Sequence, residues 1–414
     1  MSIVMKFREP AGETFTVAVA GDFCPREINS ADTAARAGEI VKDILPFYRR
    51  ADLRLLQMEN AVTSGGAPIV KSGPNHRCSV EAAVNFGRAL DAQVMLLANN
   101  HTGDYGPEAV METIEHCRRA GFSTVGAGSN AAEAAESLIV EVKGMHLAIL
   151  NCCENEFGIA RRNTPGAAGM DLPEMLEHIR ELKKQGFLVL VTLHGGHENY
   201  PFPSPRMVKL FRALADGGAD AVFNCHTHCP LGSEIHNGVP LVGSCGNFYF
   251  PPPGGRVHRM PLWHLGYLPL FSFDRAGAWQ LELIPYYNEV ARIRPLPPEE
   301  MADFKTFFRE LCRPFEDMEL CEELFDSWCW PQEPNSYFKL LFEAAYPDDW
   351  SPDKAVADNV CYRNLLNCEA HCDVLKNCFL IMEQKRTASA GKRRKEIDAV
   401  RFPEWMKLEG NEAK

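Results

Sequence analysis

Two stretches of this chain run from a valine- and leucine-rich segment into histidines. Residues 187–193 lead into His194, and residues 219–223 come shortly before His226 and His228. Proteins of the α/β class build metal sites where a buried strand delivers imidazoles at its carboxyl end. The pattern therefore predicts two buried strands whose ends carry metal ligands. Taken alone, it fits two unrelated surface histidines at loop starts equally well.

Polar side chains with the same placement follow three earlier apolar segments that also resemble strands. They are Asp22 after residues 15–20, Glu59 after residues 53–58, and Asn100 with His101 after residues 94–98. The carboxyl ends of parallel strands meet at one edge of a sheet, so we expect these side chains to lie near the histidines. A simple turn aspartate is the alternative interpretation of Asp22, because Gly-Asp and Pro are common turn residues.

The order of elements predicts an α/β fold. Helical periodicity alternates with the apolar segments in the first half, and the second half is rich in strands. Lys143-Gly144 and Asn237-Gly238 are hairpin signals, so we expect a mixed sheet or a pair of sheets with helices outside. The predicted helices cover residues 31–48, 80–90 with Ser79 as N-cap, 107–119, 173–185 and 205–215.

Charge and composition exclude several classes of function. The formal net charge of -12 argues against a nucleic-acid binder, which would present a basic face. No apolar run is long enough to span a membrane, and residues 1–10 carry no apolar core of signal-peptide type. The fifteen cysteines are an odd number and include no C-x-x-C pair. We expect a cytoplasmic protein with reduced thiols and no membrane partner.

The collected strand-end residues have the chemistry of a centre for two divalent ions. Two carboxylates, one amide oxygen and three imidazoles suit Zn, Mn or Fe better than Ca. A shared carboxylate bridges two ions about 3.5–4 Å apart in two-metal hydrolases. His101 directly follows the candidate ligand Asn100, where it could protonate a leaving group or stabilise the transition state.

Seven motifs in this order resemble the CapA-type capsule (poly-γ-glutamate) biosynthesis proteins, a family similar to the calcineurin-like metallophosphoesterases. The resemblance covers roughly residues 15–255. The motifs are Gly21-Asp22, Met58-Glu59-Asn60, Lys71-Ser72, Ala98-Asn99-Asn100-His101, His194-Gly195-Gly196-His197-Glu198, His226-Thr227-His228 and Gly246-Asn247-Phe248.

The resemblance implies a four-layer α/β/β/α sandwich with a dinuclear metal centre. It implies that Asp22 and His228 bind one ion, that Glu59 bridges, and that His101 is catalytic. Asn100, His194 and His226 would bind the second ion. Contact with a small or oligomeric anionic substrate would fall to Lys71, Ser72, Glu198 and Asn247.

Three positions depart from the pattern of the phosphoesterases. Cys24 stands where they have a histidine, Glu59 replaces an aspartate, and Cys225 replaces a glycine. The ion bound by Asp22 is therefore expected to be the more weakly held. The family's membrane-anchored members carry an N-terminal anchor that residues 1–10 do not resemble, which argues against a direct role in polymer export.

Beyond Arg294-Pro295-Leu296-Pro297-Pro298 the pattern changes to helices. We predict a metallophosphoesterase-like domain over residues 10–292 and a helical extension with a polar tail over residues 293–414. An apolar stripe in the extension predicts a core-facing helix or a seam for self-association. It consists of Leu365, Cys368, Cys372, Leu375, Phe379 and Met382.

Three hypotheses follow for the function. The first is a metal-dependent hydrolase of a phosphoester or of an amide such as a γ-glutamyl bond. The second is an anion- or polymer-binding accessory protein that keeps the fold without catalysis, which the missing histidine at position 24 favours. The third is a scaffold whose histidines are ordinary hydrogen-bonded core residues.

Overall fold

The computed structural model describes residues 2–253, 257–330 and 352–406. Its strands are β1 (Ile3–Lys6), β2 (Phe15–Phe23), β3 (Leu53–Met58), β4 (Ala61–Val62), β5 (Arg77–Cys78), β6 (Val94–Leu96), β7 (Ser123–Val125), β8 (Ala127–Gly128), β9 (Leu138–Val142), β10 (Met145–Cys153), β11 (Gly166–Ala167), β12 (Leu188–His194), β13 (Ala221–Cys225), β14 (Ser233–His236), β15 (Val239–Val242), β16 (Asn247–Tyr249), β17 (Leu265–Asp274), β18 (Gly277–Asn288) and β19 (Ile293–Pro295).

The helices of the described residues are α1 (Arg26–Val41), α2 (Leu45–Tyr48), α3 (Val80–Leu90), α4 (Pro107–Arg119), α5 (Ala131–Ala134), α6 (Leu172–Lys184), α7 (Pro205–Asp216), α8 (Met301–Glu316), α9 (Met318–Cys329), α10 (Pro352–Asn367), α11 (Glu369–Glu383), α12 (Thr387–Ala390) and α13 (Arg394–Arg401). The predicted N-cap is confirmed, because the Ser79 side chain accepts a hydrogen bond from the amide of Ala82. The predicted helix over residues 31–48 is instead α1 followed by α2.

The larger sheet has the strand order β1-β18-β17-β2-β3-β6-β7. Strands β2, β3, β6 and β7 run parallel, β17 joins β2 antiparallel, and β16 lies parallel to the end of β2. Asp22 was predicted to follow the first strand, but β2 extends to Phe23. Asp22 pairs there with Gln57 and with Asn247. The carboxylate is therefore fixed by a ladder rather than by a turn.

The second sheet has the strand order β14-β15-β13-β12-β10-β9, and β10, β12 and β13 are parallel. The predicted hairpins are confirmed between β9 and β10 and between β14 and β15. Lys143, Gly144, Asn237 and Gly238 all have positive φ, as the favoured two-residue hairpin turns require.

Alternation along the strands assigns the two faces of each sheet. In β2, Val17 and Val19 belong to the core between the sheets, whereas Ala18 and Ala20 face the core beneath α1, α3 and α4. In β12, Leu190 belongs to the central core, whereas neighbouring valines face α6 and α7. Each sheet is thus buried on both faces, and the predicted four-layer α/β/β/α sandwich is confirmed.

The helical extension packs against the sandwich through α8 and α9. Phe304, Phe308 and Leu311 of α8 are buried in the central core, as is Leu324 of α9. Strands β1 and β19 lie outside the predicted range 10–292 and both pair with β18. The division at residue 292 stays a prediction.

The core-facing interpretation of the predicted apolar stripe is wrong in its second half. Leu365, Cys368 and Leu375 are buried, but Phe379 and Met382 are 52% and 39% exposed. A helix boundary at Cys368 resets the phase, so the buried face of α11 contains Val374, Leu375, Cys378 and Ile381. Self-association through these helices stays a prediction.

Within the described residues, no helix is both long enough and apolar enough to cross a membrane. A basic cluster at residues 392–395 is partly neutralised at the surface, because Lys392 and Arg393 pair with Glu323 and Arg393 also pairs with Glu396.

One buried carboxylate ties the N-terminal segment to the β17–β18 hairpin. Asp274 is 0% exposed and accepts hydrogen bonds from both Arg8 terminal nitrogens at 2.6 Å and from the amides of Ala11 and Ala276. The Arg8 guanidinium and these amides lower the pKa of Asp274 from 3.8 to about 2. The ionised carboxylate therefore stabilises the fold.

We predict that Asp274→Asn lowers the free energy of unfolding by about 2 kcal/mol at neutral pH. Because the folded-state pKa is depressed, the difference from wild type should be complete above about pH 4 and shrink as the pH falls toward about 2. Urea unfolding across this range measures it. Glu13→Gln, at an exposed carboxylate nearby, serves as the control. A difference that stays constant with pH would contradict the assignment.

Candidate metal centre

The two sheets place their parallel strand ends side by side and bring the predicted polar residues together there. The larger sheet supplies Asp22 at the end of β2, Glu59 after β3, and Asn100 with His101 after β6. The second sheet supplies His194 at the end of β12 and the pair His226 and His228 after β13. All seven side chains are buried, and Asp22 and Glu59 are 0% exposed.

His194 lies at the centre of one group. Its Nε2 atom is 3.1 Å from Oδ1 of Asn100, 3.0 Å from Nδ1 of His226 and 3.8 Å from Oε1 of Glu59. Ligand atoms of Glu59, His194 and His226 lie within 4.8 Å of one another. This is the set that the sequence predicted for the second ion.

A second group overlaps the first through Glu59. Nε2 of His228 is 3.8 Å from Oε1 of Glu59, and Nδ1 of His228 is 3.8 Å from Oδ2 of Asp22. Ligand atoms of Asp22, Glu59 and His228 also lie within 4.8 Å of one another. A third group consists of Asp22, His194 and Cys225. Glu59 thus occupies the shared position that a bridging carboxylate requires.

The loop after β13 reaches the centre through an unusual backbone. His226 has φ 100° and His228 has φ 55°, which non-glycine residues adopt rarely. Two hydrogen bonds hold the turn. The His226 amide donates to Oδ2 of Asp22 at 3.0 Å, and the Thr227 hydroxyl donates to the Cys229 carbonyl at 2.8 Å. Both imidazoles point inward as a result, and strain of this kind is typical of functional sites.

The electrostatics of the centre are those of a cation site. Within the described part of the chain, neither carboxylate oxygen of Glu59 has a hydrogen-bond partner, although both are buried. Burial, followed by the charge of Asp22, raises the pKa of Glu59 well above its ordinary value. A bound divalent cation would compensate these two charges, so the residues present fit a metal centre.

The two cysteines that depart from the resembled pattern behave differently. The Cys24 thiol lies 3.5 Å from Oδ1 of Asn60 and belongs to none of the three groups. The Cys225 thiol lies 3.4 Å from Nδ1 of His194 and belongs to the third group. Cys24 therefore does not replace the missing histidine, whereas Cys225 adds a soft atom beside the centre.

Asp104 is a residue of the site that the sequence analysis missed. Its Oδ2 atom is 2.6 Å from Nδ1 of His101 and accepts the His76 amide at 2.6 Å, while Oδ1 accepts from Lys71 Nζ at 2.5 Å. Its position three residues after His101 was a signal available in the sequence. Asp104 fixes the orientation of the His101 ring through Nδ1. The Nε2 atom lies on the opposite side of the ring from Asp104, as in a catalytic base that is oriented by a carboxylate.

The buried imidazole beside Lys71 is held neutral. Burial, followed by the charge of Lys71, lowers the pKa of His101 well below its ordinary value. Burial also raises the pKa of Asp104, although the Lys71 ammonium acts in the opposite direction. Lys71 and Asp104 form an ion pair whose side chains are 3% and 0% exposed.

A cavity of about 530 Å³ opens over the centre. Three of the four predicted substrate-contacting residues, Lys71, Ser72 and Glu198, line it. Asn247 does not line it; it lies behind the centre, with Oδ1 2.9 Å from Nδ1 of His228. Other lining residues were not anticipated from the sequence: Arg26, His76, Glu156, Phe250, Trp263 and several residues of the extension.

Comparison with known proteins agrees with the resemblance. The model of the family described as bacterial capsule synthesis protein PGA_cap matches residues 16–252. The chain is 26% identical over 312 residues to the PGA biosynthesis protein CapA of Bacillus subtilis, which covers 74% of this chain and 80% of that protein. It is 28% identical over 255 residues to the capsule biosynthesis protein CapA of Bacillus anthracis, covering 59% of this chain and 62% of that protein.

Among solved structures, the 5'-nucleotidase precursor from Thermus thermophilus is similar, with 16% sequence identity and a TM-score of 0.41. That match covers 73% of this chain and 59% of the nucleotidase chain.

We predict that Asp104→Asn lowers the free energy of unfolding by about 3 kcal/mol, because it leaves the buried Lys71 ammonium without its counter-ion. Urea unfolding measures the change. Glu181→Gln is the matched control, since Glu181 pairs with Lys184 at a similar 2.6 Å but both side chains are more than half exposed. That control should stay within about 1 kcal/mol of wild type. Equal losses would show that burial of the Lys71–Asp104 pair is unimportant.

Proposed function

We propose that this chain, which belongs to the bacterial capsule synthesis protein family PGA_cap, is a metal-dependent hydrolase. The bond cleaved would be a phosphoester or an amide such as a γ-glutamyl bond. The names of its Bacillus relatives, which refer to capsule and PGA biosynthesis, support an anionic polymer or its fragments as the substrate class.

The observation that carries this proposal is the state of Glu59. A carboxylate with both oxygens buried and unpartnered is costly unless a cation compensates it. It belongs to two groups of candidate ligands, one with His194 and His226 and the other with Asp22 and His228, and the ligand atoms of each group lie within 4.8 Å of one another. A purely structural histidine cluster gives no reason to bury two carboxylates there, which argues against the scaffold hypothesis.

The two groups of candidate ligands that share Glu59 would each hold one ion. Asp22, Glu59 and His228 would hold one ion, and Glu59, Asn100, His194 and His226 would hold the other. Mn, Zn or Fe suits this mixture of carboxylate, amide and imidazole. A bound pair of divalent ions lowers the pKa of a coordinated water and neutralises charge on the group under attack.

Most of the remaining polar residues would act on the substrate, and one of them would orient a metal ligand. His101, whose Nδ1 is directed at Asp104, would present Nε2 to the reacting group, where it would take up a proton before passing one to the leaving group. Lys71 and Arg26, both on the cavity wall, would attract an anionic group. Asn247 would orient His228 through the contact between Oδ1 and Nδ1. Ser72 and Glu198 would contact the part of the substrate farther from the centre.

A non-catalytic accessory protein is the second candidate. The observation that favours it is Cys24, whose thiol faces Asn60 and leaves the ion beside Asp22 without the histidine that phosphoesterases place there. Such a protein would bind an anionic polymer through Lys71 and Arg26 without turnover.

We predict that His194→Ala and His226→Ala lose bound metal, whereas Asn100→Ala weakens binding by only about 10–100-fold, because an amide oxygen is a weaker donor to these ions than an imidazole nitrogen. Metal content of protein purified without chelator, measured by plasma mass spectrometry, tests this. His146→Ala is the control, since His146 is an exposed histidine away from the centre. Wild-type protein without metal would refute the metal centre itself.

We predict that His101→Ala keeps its metal but loses about 100- to 10,000-fold in turnover of an aryl phosphate or of a γ-glutamyl substrate. Turnover and metal content are measured on the same samples. Full metal content with no turnover of either substrate class in wild type would favour the accessory protein. Unchanged turnover in the variant would remove His101 from the mechanism.

A further inference from the structure

One wall of the cavity comes from the helical extension, which lies outside the residues that the family model matches. The extension contributes a ring from α9, a thiol between α10 and α11, and the first turns of α11. These lining residues are Trp328, Cys368, Ala370, His371 and Val374. The extension is therefore part of the site.

A buried carboxylate fastens this wall to the loop that follows β12. Glu154 is 2% exposed, and its Oε1 atom accepts from the Gly196 amide at 3.1 Å and from Arg206. Its Oε2 atom accepts from the amide of Ala370 at 3.2 Å, at the start of α11. One side chain thus joins the loop beside His194 to the helix that covers the cavity.

Further contacts hold α11 in the same place. Asn155 donates to the Glu369 carboxylate from its backbone amide at 2.9 Å and from its side chain at 2.6 Å. Arg206 pairs with Asp373, and Nε2 of His197 lies 3.0 Å from the carbonyl oxygen of Ala370. Arg206 is partly buried and pairs with both Glu154 and Asp373, so breaking these contacts would leave the buried Glu154 carboxylate without its cation.

The wall changes what the site can admit. The cavity volume of about 530 Å³ falls within the roughly 300–1,000 Å³ of pockets that enclose small ligands. The interior of a long polymer can reach the strand ends only through an open groove. Here α11 adds one more wall to the walls that the loops of the two sheets form. A walled cavity of this volume suits a small molecule or the end of a chain.

His371 is the ionisable side chain that α11 contributes to this wall. Burial lowers the pKa of His371, and the charges of Glu154 and, on the cavity wall, Glu198 act on it in the opposite direction. Asn364 of α10 lies with Nδ2 3.4 Å from Nδ1 of His371 and is itself buried. The ring is therefore positioned from within the extension and faces the space that a substrate would fill.

We propose that the extension restricts the site to small substrates and to chain ends, and that His371 is a specificity-determining residue in its wall. This inference rests on the proposed function and names the form in which the substrate is accepted. The centre acts on a terminal bond, and the interior of a long polymer is excluded.

The test uses the full-length, metal-loaded protein and two probes, a short γ-linked glutamate oligomer with free ends and a long polymer of the same unit with both ends blocked. We expect wild type to favour the oligomer by at least about tenfold in kcat/KM per bond. His371→Trp should raise the KM for the oligomer about tenfold with unchanged metal content, and His371→Ala should reduce the preference. Lys376→Ala, at an exposed position of the same helix, should match wild type.

Internal cleavage of the blocked polymer at the oligomer's efficiency per bond, or an unchanged KM in His371→Trp, would overturn the proposal. Calorimetric binding of the same two probes decides the question without turnover: selective binding of the oligomer supports it, and binding of the blocked polymer, or of neither probe, overturns it. Metal content distinguishes this outcome from failure of the proposed function. The proposed function requires bound metal whether or not the site prefers short substrates.

Discussion

The burial of two carboxylates at the seam between the sheets is the constraint on which the rest of this structure depends. Asp22 and Glu59 are wholly buried, and Glu59 has no hydrogen-bond donor among the described residues. Burying such charges costs several kcal/mol each unless they are compensated. The parallel strands, the inward-pointing imidazoles and the ion pair behind His101 are all consistent with a cation site at these two carboxylates.

Much of this arrangement was predictable because it follows from periodicity and strand polarity. Alternating side chains assign the faces of β2 and β12, and parallel strands end at one edge, so the polar residues after them had to meet. Strand β18 was not predicted, although its segment Gln280-Leu281-Glu282-Leu283 alternates between polar and apolar residues as a half-buried strand does. The phase of α11 was also missed, since the helix boundary at Cys368 depends on tertiary contacts.

Other features of the site could not be read from the chain alone. The positive φ values of His226 and His228 occur in a turn that hydrogen-bonds to Asp22, 204 positions away, and, through Thr227, to Ser244 beyond the end of β15. The attachment of α11 to Glu154 joins residues more than 200 positions apart. No local pattern encodes such pairings, because each is decided by the packing of complete elements. Asp104 is different, since its spacing from His101 was visible and only its role was not.

The position of the centre across two sheets has a thermodynamic consequence. The larger sheet supplies the carboxylates and the second sheet supplies His194, His226 and His228, so an unfolded chain cannot assemble the ligand set. Any ion that binds only the native arrangement stabilises it by mass action, in proportion to the logarithm of its free concentration. Metal supply would then affect the abundance of the folded protein as well as its chemistry. When metal is scarce, a larger fraction of the chain would be unfolded and open to proteolysis without any change in sequence.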